Sequence, residues 1–438
     1  MQDKIRGRFH LQESPLFGYF GFARNQKQPM RKNSHFSGQP LYYQVIKLLD
    51  KSKVLAYSRD NGGERYTKRF NSWIHLVVML YAVIMRFDSL REITASLLAE
   101  TRKLAHLGIT FKIGRSTLAD ANKRRLEAIF EAIYRDLYAS YRHVLSSESR
   151  NGKTPKWMKR LQIIDSTTIT LFSNLLFKGV GRHPKTGKKK GGIKVHTVIH
   201  ANEGVPSDIK FTSAATNDSF MLKPATLSKG DIMAMDRAYI DHEKFEQLTR
   251  RGVIYVTKMK KSLKYSILSD TMYQTPDSFM EVRIQHVEFV KQVKGREVIH
   301  HKSRIITYVD GKKRKLISLL TNDMESDPEE IIAIYRQRWE IELLFKQMKQ
   351  NFPLKYFYGE SANAIKIQIW VTLIANLLLM VMKKELKRQW SFSGLATMVR
   401  ITLMYYVDFY SLFNNPEKEW EIILSEASGA PPEPSLFG

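Results

Sequence analysis

Two short apolar runs that each end in an aspartate constrain the fold of this chain most. They are LQIID, which ends at Asp165, and DIMAMD, which ends at Asp236. Short apolar runs bounded by turn residues are typical of strands that are buried on both faces of a sheet. Two β-rich runs follow the first, and a helical segment, HEKFEQLTRRG, separates the second from the strand VIYVTKM. Three strands followed by alternating strand and helix predict an α/β (α+β) fold with helices flanking a mixed sheet.

The two aspartates are unusual at these positions. A carboxylate directly after buried strand residues is costly unless it is paired, hydrogen-bonded or bound to a metal ion. Aspartate also favours strand ends because it bonds to the local backbone there, so either residue alone is explained as a turn or capping acid. A third carboxylate on a neighbouring element would favour a shared site instead.

The segment IYRQRWEIELLFKQMKQ, residues 334–350, supplies such a carboxylate. It has the pattern of a helix, and at about 100° per residue four polar groups fall within an arc of about 60°. They are Tyr335, Arg338, Glu342 and Lys349. A stripe of this kind is often simply solvated. Because other polar residues occupy much of the remaining surface of the helix, the stripe is predicted to face inward.

Asp165, Asp236 and Glu342 together have the chemistry of a site for hard divalent cations. Carboxylate oxygens bind Mg²⁺, and two such ions about 4 Å apart stabilise both the attacking and the leaving oxygen of phosphodiester displacement. We therefore predict that these three acids are catalytic and hold two Mg²⁺ ions, with Mn²⁺ as a substitute. Tyr335, Arg338 and Lys349 are predicted to contact DNA at the reacting strand.

The formal charge of +27 points to a polyanionic partner, most often a nucleic acid. A basic solubility balance or an anionic membrane surface is the alternative. From Ser166 to Asn202 the chain has no acidic residue, and the glycine-broken stretch KGVGRHPKTGKKKGGIK collects basic ones. This stretch is either a solvated patch or a grip on the DNA backbone. Its predicted DNA contacts are Lys188, Lys189, Lys190 and Lys194.

Residues 41–150 have a helical pattern and are predicted to bind DNA. A long amphipathic helix is expected from Ser116 or Thr117 through RSTLADANKRRLEAIFEAIYRDLYASY, with Arg124 and Arg125 as DNA contacts. A helix-turn-helix motif is disfavoured, because about fifteen residues separate the last two helices where three or four are usual.

Changes in composition and pattern predict five segments. They are a basic flexible arm (1–40), the helical DNA-binding domain (41–150), a catalytic core (156–264 and 323–395), a β-rich insertion within it (265–322), and a C-terminal helical segment with a disordered tail (396–438).

The chain has no cysteine, which excludes disulfides and thiolate zinc sites and suits a reducing cytosol. Its first ten residues have no apolar signal region, so a cytoplasmic, DNA-associated protein is predicted. The most apolar segment, residues 367–382, carries polar residues and is slightly short for a membrane span. It is predicted to be a buried core helix, and no membrane partner is expected.

Several motifs resemble those of the IS-four-type DDE transposases. YRQRWEIELLFKQMK fits their Tyr-x2-Arg-x3-Glu-x6-Lys signature at the four stripe residues. IIDSTTI resembles the segment with the family's first aspartate, and MDRAY resembles the Asp-Arg-Gly-Tyr around the second, with Ala238 in place of glycine. SLREI, HLG and RSTLADANKRR are similar to the helical N-terminal domain often attached to these enzymes.

The resemblance implies an RNase-H-like core with a β-rich insertion between the second aspartate and the glutamate. It implies Asp165, Asp236 and Glu342 as metal ligands and the other three stripe residues as DNA contacts near the cleaved end. The implied activity is cut-and-paste transposition: the protein binds the terminal inverted repeats of an insertion sequence, cleaves the ends with two Mg²⁺ ions and joins the 3′-OH to double-stranded target DNA. It is expected to act as a homodimer in the synaptic complex. Two alternatives are a metal-dependent nuclease without strand transfer and a domesticated, catalytically silent DNA-binding protein. The presence of all three acids disfavours the silent protein.

Overall fold

A computed structural model describes residues 38–146, 154–170, 192–213, 216–276, 280–292, 298–311, 314–418, 420, 421 and 424. The helices are Leu41–Ile46 (α1), Lys51–Asp60 (α2), Ser72–Met85 (α3), Leu90–Ala99 (α4), Thr101–Leu104 (α5), Arg115–Arg124 (α6), Glu127–Leu145 (α7), His242–Arg250 (α8), Pro328–Gln337 (α9), Trp339–Asn351 (α10), Ala362–Glu385 (α11), Phe392–Thr402 (α12) and Phe409–Asn414 (α13). The strands are Leu161–Thr170 (β1), Gly192–His200 (β2), Pro206–Ser213 (β3), Ile232–Met235 (β4), Ile254–Lys258 (β5), Ser266–Gln274 (β6), Glu281–Lys291 (β7), Ile299–Asp310 (β8) and Lys315–Thr321 (β9).

The described strands form one sheet in the order β3-β2-β1-β4-β5-β9-β8-β7-β6. Strands β3, β2 and β1 are antiparallel, whereas β1, β4 and β5 run parallel. This confirms the predicted mixed sheet, and the order β3-β2-β1-β4-β5 is that of an RNase-H-like core. The β-rich segment predicted at 265–322 continues the same sheet, because β9 pairs antiparallel with β5 and β6–β8 follow beyond it.

The apolar runs of β1 and β4 are continuous because the sheet is covered on both faces. Ile163 and Ile164 point to opposite faces and are 0% and 1% exposed. Ile163 belongs to the larger hydrophobic core, which includes α11, and Ile164 belongs to a smaller core that includes Phe245 and Leu248 of α8. The alternating contacts of these two strands therefore hold the ends of β1 and β4 in a fixed position.

Helix α11 is the central helix of the larger core. It is long and apolar enough to cross a membrane, and 89% of its most apolar stretch is buried inside this structure, where it contacts α3 and α7. The prediction of a buried core helix at 367–382 is confirmed. Its polar side chains are internal too: Gln368, Thr372 and Asn376 are all fully buried.

The long helix predicted from Ser116 to Tyr141 is wrong, because the chain forms α6 and α7 with a break between them. At Arg125 and Leu126 the backbone is extended. The side chain of Asn363, on α11, accepts a bond from the Glu127 N–H at 3.0 Å and donates to the Arg125 carbonyl at 2.6 Å. One amide from a distant helix thus satisfies the backbone groups that the break exposes.

The prediction that Arg125 contacts DNA is also wrong. Its side chain is turned inward, the residue is 6% exposed, and its guanidinium donates to the carbonyls of Gly63 and Phe70. Burial lowers the pKa of Arg125 to about 10, and the nearby charge of Glu64 opposes that decrease. Arg124, in contrast, lies on the surface and pairs with Asp120 one turn earlier.

The helix expected over 334–350 is interrupted at Arg338, where α9 ends and α10 begins. The backbone of Arg338 keeps helical angles, and its N–H bonds to the Tyr335 carbonyl three residues earlier. This tighter turn leaves the side-chain stripe on one side, and that side faces β1 through Arg338 and Lys349.

Candidate active site

Two carboxylates stand where the parallel pairing of β1 with β4 ends. Asp236 directly follows β4, as predicted, but Asp165 does not end its strand, because β1 continues to Thr170 in antiparallel pairing with β2. In the β1–β4 register Ile164 pairs with Met235, and the residue that follows each is Asp165 and Asp236. The Asp236 carboxylate accepts a bond from the Ala238 N–H at 3.0 Å and so caps a short turn. Non-glycine residues with positive φ in the described part of the chain do not include Ala238. Alanine is therefore tolerated where the family commonly has glycine.

The third carboxylate, Glu342, lies on α10 and is linked to Asp165 through Arg338. The guanidinium of Arg338 lies between two acids: Nη2 donates to Glu342 Oε1 at 2.6 Å, and Nη1 donates to Asp165 Oδ2 at 3.4 Å. The Arg338 side chain is 13% exposed, and Tyr335 places its ring 5.7 Å from the guanidinium carbon. Helix α10 is thus joined to β1 through the buried guanidinium of Arg338 as well as through apolar contacts.

The electrostatics of Asp165 reflect this crowding. Its pKa is raised to about 6, mainly because the carboxyl is buried. The Ser166 N–H, 2.7 Å from Oδ1, and the Arg338 guanidinium oppose the rise, whereas the negative charges of Asp236 and Glu342 add to it. The Asp165 carboxyl therefore senses both other acids, and an additional cation at this place would stabilise its charged form.

The donor chemistry of the site fits a hard divalent cation, since it offers carboxylate oxygens from three side chains. Their spacing is looser than that of a closed cage. Within the residues that the structure describes, no three His, Cys, Asp or Glu side chains are grouped so as to hold one ion. Arg338 occupies the space between Asp165 and Glu342 instead.

Lys349 closes the other end of the stripe. Its ammonium donates to Thr167 Oγ1 at 2.7 Å and approaches the Thr168 carbonyl at 3.4 Å, so it lies along β1 two to three residues beyond Asp165. Burial lowers the pKa of this ammonium. Asp165, Thr167, Glu342 and Lys349 all line one cavity of about 900 Å³ that opens beside the strand end.

A fourth acid, Asp218, supports the site and was missed in the sequence. Its Oδ1 accepts a bond from Ser166 Oγ at 2.7 Å, so it positions the residue whose N–H holds Asp165. Lys194 Nζ lies 3.3 Å and His196 Nδ1 3.4 Å from the same oxygen. Lys194, predicted to contact DNA, is 14% exposed and is used inside this network. The signal was present: a lysine on a largely buried strand requires a counter-charge.

The structure brings together Tyr335, Arg338, Glu342, Lys349, Asp165 and Asp236. Arg124 lies on a different helix of the N-terminal part, on the surface of α6. The remaining predicted contacts, Lys188, Lys189 and Lys190, lie outside the described residues.

Comparison with known proteins adds an independent line of evidence. A family model described as the transposase DDE domain matches residues 156–378, and one for a domain of unknown function matches residues 37–110. A putative transposase of Sinorhizobium fredii is 26% identical over 268 residues, which cover 61% of this chain and 70% of the relative. A probable insertion-sequence transposase of Geobacillus stearothermophilus is 23% identical over 287 residues, covering 65% and 72%. A putative insertion-sequence transposase of a Synechocystis species is 26% identical over 282 residues, covering 62% and 72%.

Proposed function

The chain belongs to the DDE transposase family, and from that premise we propose that it cuts the ends of its insertion sequence and joins the freed 3′-OH to target DNA. In the cut, water attacks the phosphorus at the end of the element and the 3′ oxygen leaves. In the joining step that 3′-OH attacks a phosphodiester of the target, forming one P–O bond while another breaks. The two steps are the same displacement at phosphorus with different nucleophiles.

Asp165, Asp236 and Glu342 are the residues that would hold the divalent ions, with Mg²⁺ the preferred ion and Mn²⁺ a substitute. When bound, such ions activate the nucleophile and stabilise the leaving oxygen. Magnesium is commonly held by one or two carboxylates and completes its shell with water and substrate phosphate.

Arg338 and Lys349 would hold the scissile strand. Arg338 presents a forked donor at the carboxylates, which is the geometry that grips a phosphate, and Lys349 adds a point charge along β1. Tyr335, stacked beside Arg338, offers a ring and a hydroxyl next to the same strand. These residues position DNA, whereas the acids serve the chemistry.

The observation that carries the proposal is the contact of Arg338 with both Asp165 and Glu342. It joins Asp165 on β1 to the Tyr-Arg-Glu-Lys signature, and Arg338 lies 173 residues after Asp165 in the sequence. A solvated stripe would leave these residues apart. The contact favours an intact catalytic centre over a silent DNA-binding protein.

The test is substitution of each acid without loss of its shape. Asp165→Asn, Asp236→Asn and Glu342→Gln are each expected to abolish strand cleavage with Mg²⁺, while binding to the inverted repeats that flank the gene persists. Cleavage is measured on labelled end duplexes and binding by fluorescence anisotropy. A variant that still cuts at the wild-type rate would remove its residue from the site.

Joining separates a transposase from a simple nuclease. Incubation with end duplexes and a supercoiled target plasmid is expected to yield plasmids that carry the ends at new sites. Plasmid nicking without joined ends would favour the nuclease. We propose further that the protein acts in the cytoplasm and as a homodimer that pairs two ends; sedimentation of the end complex measures its stoichiometry.

A further inference from the structure

We propose that the cavity beside the catalytic acids has a second wall, made by Arg86 and Lys355, that binds DNA phosphates beyond the scissile bond. The inference rests on the proposed function and adds to it a binding subsite on residues outside the signature helix. Arg86 comes from the end of α3 and Lys355 from the chain that follows α10, and both line the same cavity as Asp165 and Glu342. The ligand is the phosphodiester backbone of DNA.

Arg86 is held at this wall in a strained conformation. Its φ is +62°, a left-handed conformation that glycine adopts readily and arginine rarely does. The turn is fixed from outside: the hydroxyl of Tyr358 donates to the Phe87 carbonyl at 2.7 Å and lies 3.2 Å from the Ala82 carbonyl. Glycine would relieve the strain at this position, so the presence of arginine suggests that its charged side chain has a function.

Lys355 is presented by a chain segment that is equally well fixed. The amide of the fully buried Gln368 donates to the carbonyls of Pro353 and Tyr356, at 2.7 and 2.8 Å, and accepts from the Tyr358 N–H at 2.8 Å. Three bonds from one buried side chain thus anchor both sides of Lys355, which itself is exposed. The lysine is therefore placed in the cavity wall by a rigid support.

Arg400 joins the wall that carries Arg86 to the helix that carries Glu342. Arg400 donates to the Ile84 carbonyl near the end of α3 at 3.1 Å and to the Asn351 carbonyl at the end of α10 at 3.2 Å. Burial lowers the pKa of Arg400, and the charge of Arg86 lowers it further. The end of α3 is thereby tied to the helix that carries Glu342 and Lys349, so Arg86 is built into the site although it lies far away in the sequence.

The charge of this wall favours an anion. Arg86, Lys346 and Lys355 line the cavity and are exposed, and among the described residues none of them forms an ion pair. Asp88 is the acid on this side of the cavity. Unpaired cations on a fixed support beside the carboxylates suit backbone phosphates that continue past the reacting one.

The experiment measures DNA binding without divalent ions, so that no strand is cut. Arg86→Gly removes the charge and relieves the turn, and Lys355→Ala removes the other cation; Lys229→Ala is the matched control, an exposed lysine at the opposite end of β4. Two duplexes are compared, one that stops at the cleavage position and one that continues into flanking DNA. Fluorescence anisotropy across a salt series gives affinity and salt slope for each.

We expect a variant that carries both Arg86→Gly and Lys355→Ala to have a salt slope smaller in magnitude by about 0.9 for each phosphate contact removed, hence by about 2 in total. It should also bind more weakly at every salt concentration. Loss with the longer duplex alone would place the subsite on flanking DNA, and loss with both would place it on the element's own end. Thermal unfolding of Arg86→Gly should be unchanged or occur at higher temperature, and Lys355→Ala tests the wall without touching the turn.

Binding by both variants that equals the Lys229→Ala control on both duplexes would overturn the subsite. That result is distinct from failure of the proposed function, which is tested by wild-type cleavage and joining. A wild-type protein that cuts its ends, together with variants that bind like the control, would remove Arg86 and Lys355 and leave the catalytic centre intact.

Discussion

At the scale of single residues, the chemistry of this site depends on which charges share a small space. Arg338 lies between Asp165 and Glu342, and Asp218 fixes the residue next to Asp165. Burial raises the pKa of Asp165 to about 6; the positive charge of Arg338 opposes this rise, and the negative charges of Asp236 and Glu342 add to it. The site is thus poised to bind further positive charge, at a cost to the stability of the ion-free protein.

Substitutions of the cations test whether they hold DNA. Arg338→Ala and Lys349→Ala are expected to slow the first strand cut by about one to two orders of magnitude, since each removes a charged hydrogen bond worth about 1.5–3 kcal/mol. The measurement is single-turnover cleavage of a pre-assembled end complex with Mg²⁺ and with Mn²⁺. Arg336→Ala, an exposed arginine in the last turn of α9, is the control. Normal cleavage in both variants would mean that the alignment of the stripe is coincidental.

The raised pKa of Asp165 predicts a pH-dependent stability difference. Because the pKa of the folded state exceeds the ordinary value of 3.8, the wild-type protein loses stability as the pH rises through about 6. Asp165→Asn cannot ionise, so in EDTA at pH 7 it should exceed the wild type by on the order of 1–3 kcal/mol in free energy of unfolding. Urea unfolding at pH 7 and near pH 4 measures this, and the difference should shrink at the lower pH. Asp60→Asn on α2 is the control, and a pH-independent difference would contradict the assignment.

At the scale of elements, α11 organises the catalytic centre although it contributes none of the predicted catalytic residues. Asn363 completes the break between α6 and α7, and Gln368 anchors the segment after α10. Asn376 accepts a bond from Gln347 of α10 at 2.8 Å. Asn363, Gln368 and Asn376 are therefore attachment points for neighbouring elements, each placed where a backbone or amide group needs a partner.

Gln368 is the sharpest test of this role. Gln368→Met keeps the volume but leaves buried carbonyl and N–H groups of residues 353–358 unpaired, so we expect a loss of about 2–4 kcal/mol in the free energy of unfolding. Thr372→Val, one turn later on α11, is the matched control, because the buried Thr372 hydroxyl has no hydrogen-bond partner in the described structure. Urea unfolding compares the two. Equal stabilities would show that the bonds of Gln368 contribute little.

At the scale of the whole molecule, net charge and the continuous sheet set the behaviour with DNA. A charge of +27 predicts strong, salt-dependent association, since each neutralised phosphate releases counterions. The same sheet carries the catalytic strand ends and the strands β6–β9, and the helical N-terminal part shares the larger core with α11. Groups from the N-terminal part therefore reach the site through a common core rather than across a flexible joint.

Salt dependence is also the test of the basic stretch that precedes β2. Replacement of Lys188, Lys189 and Lys190 by glutamine should flatten the salt slope for end binding by up to about 0.9 for each phosphate that is no longer neutralised. Replacement of Lys223 and Lys229, exposed near the amino end of β4, is the control. Anisotropy titrations over a salt series provide the slopes. A slope equal to that of the control would mean that these three lysines do not contact DNA phosphates.

The sequence by itself determined the features that depend on local pattern and chemical type. Aspartates after buried runs marked the end of β4 and the point where β1 leaves its pairing with β4. The polar stripe marked the inward face of α9 and α10, and apolar character marked the core helix α11. Only the tertiary structure decided what depends on partners far along the chain. Asn363 bonds to the Arg125 carbonyl at the end of α6, Asp218 pairs with Lys194, and Arg400 joins the end of α3 to the end of α10. A side chain's burial and partners are set by the elements folded against it, and the pattern of its own segment does not record which elements those are.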